Sequence, residues 1–227
     1  MSPTLTFMIK AETFQFLTDI SANNNREWFA LNKFRHDEAR QNVLEFTAEV
    51  IKGLAEVDRL LPSDLDPKDC VMRIYRDIRF SLDKKPYKTN FGAGISPNGK
   101  NFNGPGYYLH ISPVECFIAA GCWMPEKEHL KLIRQEIDYN ATDFKQALEK
   151  LDFQKSQGRL DTEYKLKTAP KGYPSDHPEI EYLKLKSFTV TIPLQPSELK
   201  KPRAVQKVVE GFSSLYPFVA FLRNAIS

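Results

Sequence analysis

The scarcities of this 227-residue sequence set its limits first. Cysteine occurs three times, as Cys70, Cys116 and Cys122, with no CxxC pair. An odd, scattered set of that kind gives neither a disulfide framework nor a zinc knuckle and predicts reduced core thiols. Histidine is equally sparse: His36, His110, His129 and His177 show no HExxH or His-x-His spacing, so no metal and no cofactor is assigned. No run approaches the roughly 18 apolar residues that cross a bilayer, and the start "MSPTLTFMIK" lacks a charged stretch leading into an apolar one. These absences predict a cytoplasmic protein with no membrane partner. Charge of one sign is also lacking overall, since the net value is only +3, which makes a nucleic-acid coat unlikely as an expectation.

What is present is a globular composition, 41% hydrophobic and 12% aromatic, which argues against disorder. "KAETFQFLTDI" puts Phe14, Phe16 and Leu17 on one side of a short helix, and Asn24 with Glu27 three residues later reads as the capped start of a second. That helix is expected to break near His36 and to continue with a stripe of Val43, Phe46, Val50, Ile51 and Leu54. From about residue 70 the period changes to two, which predicts antiparallel strands over 71–80, 91–96, 106–112 and 115–122. "WMPEKEHLKLIRQEI" restores helix, followed by a shorter one over 142–150 and by the strand "KSFTVTIPL", expected to stop at Pro193 and Pro196. A last apolar helix should kink at Pro217. Without repeats or linkers, these segregated elements predict a single α+β domain over 1–227. Its central antiparallel sheet is packed by N-terminal and C-terminal helices.

One stretch departs from the average. "RIYRDIRFSLDKKPYK", residues 73–88, carries Arg73, Arg76, Arg79, Lys84, Lys85 and Lys88 against Asp77 and Asp83, a local charge of 6 − 2 = +4. Read as a strand, it aligns Arg73, Asp77 and Arg79 on one face, with neighbours roughly 6.5 Å apart, a spacing at which two guanidinium forks can hold a phosphate or carboxylate. Arg76 falls on the opposite, apolar face and requires a partner, because an unpaired buried guanidinium is very costly. Pro86 fixes the turn that aims Lys84, Tyr87 and Lys88, while Asp77 and Asp83 orient the cations. The bland alternative, an ion-pair network on an exposed sheet face, carries comparable weight.

Two other signals are weaker. "GISPNGKN" imitates part of a P-loop, but Asn101 stands where a Ser or Thr would bind magnesium and no helix follows, so Asn98-Gly99 reads as a tight hairpin turn instead. His177 precedes Pro178 at a predicted helix start, where it could act as a general base but more often simply caps the helix.

"NNNREWF", "RIYRDIRFSLDKKPYKTN", "GYYLHI", "AAGCWMP" and "PKGYPSDHPEIEYLKLKSF" together resemble an uncharacterised family of bacteria and fungi, a domain of unknown function. Its signature corresponds here to Arg76, Asp77, Arg79, Phe80, Asp83, Lys84, Pro86 and Tyr87. The resemblance implies one domain over essentially the whole chain and implies no activity. The sequence therefore ranks three function classes. The first is a basic pocket for a small anionic ligand, formed by Arg73, Arg76, Arg79, Asp83, Lys84, Tyr87 and Lys88. In an enzyme of that kind, Asp77 or His177 would serve as the base for phosphoryl or acyl chemistry. The second is a non-catalytic structural or protein-interaction module. The third is weak nucleic-acid binding through the same surface.

Overall fold

Apolar residues recur at three- and four-residue spacing through the first quarter of the chain, and that part is helical. In the computed structural model, which describes residues 7–101, 103–149 and 157–227, α1 spans Ala11–Ala22, α2 Arg26–Leu31 and α3 Lys33–Ala55. The α2 cap is Asn25, whose side chain accepts from the Trp28 N–H, and not Asn24. The helix break falls at Asn32, where the chain turns between α2 and α3, whereas His36 lies buried within α3. Asn42 is polar yet buried. Its amide accepts from the Lys10 N–H and the Thr13 hydroxyl and donates to the Met8 carbonyl, so one side chain fixes the entry into α1. The short α4, Pro67–Cys70, follows an Asp66 cap.

Five strands form one antiparallel sheet: β1 Phe91–Ile95, β2 Gly106–Ile111, β3 Cys116–Cys122, β4 Arg159–Leu160 and β5 Phe188–Leu194, in the spatial order β1-β2-β3-β5-β4. Helices α5 (Lys127–Tyr139), α6 (Ala141–Glu149), α7 (Ile180–Leu183), α8 (Pro196–Leu199) and α9 (Ala204–Ala225) complete the described elements, and the fold is α+β as the sequence predicts. The helix predicted over 142–150 is described as far as Glu149. β5 runs through Pro193 to Leu194 instead of stopping there. Proline is tolerated because β4 pairs only with Val190 and Thr191, leaving the outer side of β5 open at Pro193. α9 likewise continues through Pro217.

The predicted strand over 71–80 does not form. Within 71–90 the only β contacts are isolated bridges, Val71 with Ala93 and Tyr75 with Tyr87, and the segment from 73 to 88 is an irregular arm that doubles back on itself. Alternating residue types satisfied the strand pattern, but the supposed core face is not buried as a unit: Ile74 is buried, whereas Phe80 is exposed.

Alternation along the real strands sorts the sheet into two unlike faces. Phe91, Ile95, Leu109, Ile118, Val190 and Ile192 point into the helical layer, where α9 and α3 cover them. A buried polar cluster lies in that layer: Asp58, with 0% exposure, accepts from the Arg223 guanidinium at 2.7 and 2.8 Å and from the Tyr107 hydroxyl at 3.0 Å. Burial and the Asp58 carboxylate push the Tyr107 pKa well above its ordinary value. The opposite face carries Gly94, Tyr108, His110, Phe117, Ala119 and Thr191, and a short 3-10 turn, Gly99–Asn101, folds over it at Gly94.

Candidate functional site

The open face of the sheet contains a hollow of about 580 Å³. That volume falls within the usual range for small-molecule pockets. Its floor consists of Gly94, Gly106, Ala119, Gly121, Thr189 and Thr191, and Met72, Tyr108, Phe117 and Trp123 stand around it. Small side chains make the depth; one glycine is required on other grounds and a second is tightly fitted. Gly121 adopts φ +130°, and a Cβ there would come within 2.0 Å of the Phe188 carbonyl oxygen. At Gly94 a Cβ would meet the Lys100 Cα and Cβ at 3.3 Å, because the β1–β2 loop folds back over it. Trp123 stays 58% exposed and meets Tyr164 edge-on, with ring centroids 5.1 Å apart.

Polar groups are few. One Asp161 oxygen accepts from the Glu163 N–H, while its backbone N–H extends the ladder to the Thr189 carbonyl. Lys100 lines the hollow, but its ammonium donates to the Lys68 and Asp69 carbonyls at 3.1 and 2.9 Å, so its charge serves to pin the loop to the end of α4. At one end Tyr108 Oη lies 3.2 Å from His110 Nδ1, and the His110 ring stacks on Phe117 at 4.6 Å. Burial lowers the His110 pKa and raises that of Tyr108, which keeps both groups neutral near pH 7. The hollow is therefore aromatic and mostly apolar, with polar groups from Ser96, Asn103, Tyr108, Asp161, Thr189 and Thr191.

None of the residues nominated in the basic segment lines this hollow. The arm satisfies most of its charges internally. Arg76 donates to Asp83 at 2.7 Å, to the Lys85 carbonyl at 3.0 Å and to Ser81, which supplies the partner it required. Arg79 grips Asp77 with two nitrogens at 3.0 and 2.6 Å, and Lys84 donates to the Ile78 carbonyl. The Asp77 carboxyl is held below its ordinary pKa mainly by Arg79. For Asp83 the Lys85 N–H contributes most, then Arg76. Tyr87 is buried, stacked on Phe29 at 4.2 Å, and its backbone N–H and carbonyl are both bonded by the Asn24 amide at 3.0 and 2.9 Å. Arg73, Lys85 and Lys88 have no ion-pair partner among the described residues; Arg73 acts electrostatically on Asp77 and on Lys88, and burial, then Arg73, lower the Lys88 pKa.

The family model described as "Conserved hypothetical protein (DUF2461)" matches residues 12–221. The chain belongs to this family. No curated protein and no solved structure matches it. The DUF2461 match includes both the hollow and the arm.

His177 sits apart from both in its contacts. Its Nδ1 accepts from the Glu179 N–H at the start of α7, so Nε2 carries the proton and donates to Asp138 at 2.8 Å. Glu179, not His177, is the cap residue of α7, and His177 binds its N–H; no hydrogen bond or ion pair joins His177 to the arm among the described residues. Among those residues no three His, Cys, Asp or Glu side chains converge as metal ligands would. The sequence reading missed Trp123, Asp161, Thr189 and Thr191. A signal for them exists in the strands: several residues out of phase with the core stripe, Gly94, Gly106, Ala119 and Gly121, are small.

Proposed function

We propose that this DUF2461 protein binds a small, flat and largely apolar molecule in the hollow on the open face of its sheet. The observation that supports this reading is a 580 Å³ concavity walled by Tyr108, Phe117 and Trp123 over a floor without bulky side chains. A ring system laid on such a floor stacks against aromatic edges, and a hydrogen-bond donor on it meets Asp161 or the threonine hydroxyls. The chemistry favours a neutral or cationic ligand, because the Lys100 ammonium is already engaged. The test is a thermal-shift and ligand-observed NMR screen of ring-bearing fragments against the natural protein and Ala119→Leu. A fragment at one hundred times its Kd stabilises the fold by about 2.7 kcal/mol. Ala119→Leu should keep its fold and lose the hits. Hits unaffected by the filled floor, or a screen without hits, would count against the hollow.

A second reading retains the anionic ligand and contracts it to Arg73 and Lys88. The observation favouring it is that Arg73 acts electrostatically on Lys88 and that neither forms an ion pair among the described residues. Inorganic phosphate or a dicarboxylate should then raise the melting temperature of the natural protein, and Arg73→Ala should abolish that rise. An equal rise in both proteins would remove this reading and leave the hollow untouched.

A further inference from the structure

The arm ends in two large apolar side chains that nothing covers. Phe80 is 95% exposed and Leu82 fully so, and they stand two residues apart on one loop. Single exposed apolar residues, such as Leu60 and Val114 elsewhere on the surface, are ordinary and need no explanation. Phe80 and Leu82 differ because the loop displaying them is rigidly made. Arg76 ties Ser81, Asp83 and the Lys85 carbonyl together, Arg79 is locked to Asp77 and lies over the Phe80 ring at 5.9 Å, and Lys84 closes the loop onto Ile78. At the arm's base, Asn24 and Phe29 hold Tyr87. The ion pairs thus brace a loop whose tip is apolar and whose flanks carry six cations against two acids, +4 in all.

We infer that residues 79–85 insert into the surface of a membrane rich in anionic lipid. The layering carries the assignment. Phe80 and Leu82 reach the level of the acyl chains, while Lys85 on the same loop meets headgroup phosphates and carboxylates, Arg73 and Lys88 add charge at the base, and Arg79 and Lys84 hold the loop in shape. A protein partner would need an acidic groove shaped to two protruding side chains, whereas a bilayer interface offers the apolar layer and the anionic layer in the required order. No helix among the described residues is long and apolar enough to cross a membrane, so the association inferred here is a peripheral one. It stands independently of the hollow.

The test is co-sedimentation of the full chain with vesicles of phosphatidylserine and phosphatidylcholine, and with vesicles of phosphatidylcholine alone. The natural protein should partition onto the anionic vesicles and do so less as salt rises. Phe80→Ser with Leu82→Ser should reduce partitioning about tenfold or more. Lys85→Ser, which leaves the Lys84 brace intact, should reduce it about fivefold on anionic vesicles and little on neutral ones. All of these side chains are exposed, so melting temperatures should stay close to that of the natural protein. Failure to bind anionic vesicles, or binding left unchanged by the Phe80 and Leu82 substitutions or by Lys85→Ser, would overturn the inference.

Discussion

Ile118 and Ala119 are neighbours on β3 and serve opposite faces of the same sheet. Ile118 is fully buried under the helical layer, while Ala119 forms part of the floor of the hollow. The helix-covered face is filled by bulky aliphatic and aromatic side chains and seals one polar cluster, Asp58 with Arg223 and Tyr107. On the other face, small and aromatic residues leave space, and polar groups such as Asp161 border it. The difference teaches that one face is built for stability and that the other gives up packing to keep a concavity.

The comparison breaks most severely at Asp58. Asp58→Ala would strand the Arg223 guanidinium, whose Nε and Nη2 are already without partners, in the covered layer. A loss of about 3–5 kcal/mol is expected in urea unfolding, as for other buried charge pairs stripped of one member. Ala119→Leu provides the opposite case: its added side chain enters open space, so unfolding should shift by less than about 1 kcal/mol even as fragment binding disappears. A shift as large as that of Asp58→Ala would show that the open face is also structural.

Acid offers the smallest and most discriminating probe. Burial lowers the pKa of His36, set among Phe16, Phe29 and Phe91 on the covered side, and that of His110 on the open side. His36 Nδ1 lies 3.0 Å from Asp37, which is consistent with an ordinary hydrogen bond from a neutral ring. In the window below the ordinary histidine value of about 6.5 the unfolded chain takes up protons that the folded chain resists. Stability should therefore be full above that value and decline as pH falls through it. His110→Gln should flatten part of this decline in urea titrations between pH 7.5 and 5.5 and leave the share due to His36. An unchanged slope would mean that His110 is not held neutral by its stack on Phe117.

Much of the architecture was legible because burial on one face imposes a period on the chain. Val43, Phe46, Val50 and Leu54 mark α3, and Phe188, Val190 and Ile192 mark β5. The arm misled for a physical reason: Ile74, Arg76 and Ile78 alternate as strand residues do, yet Arg76 spends its donors within its own loop instead of across a sheet. The start of α2 shifted by one residue because Asn24, the expected cap, is drawn to Tyr87, distant in sequence, and Asn25 takes the cap. The hollow was illegible for the opposite reason. Glycine, alanine and threonine carry no chemistry that draws notice, and only their registration across β1, β2, β3 and β5 turns them into a floor.

The Asn24 amide bonds both backbone groups of Tyr87, one as donor and one as acceptor. A neighbouring strand makes the same pair of bonds, so this side chain impersonates one more rung of a ladder. It closes a backbone edge that would otherwise be free to recruit a foreign chain, and it does so at the root of the most exposed and most cationic part of the molecule.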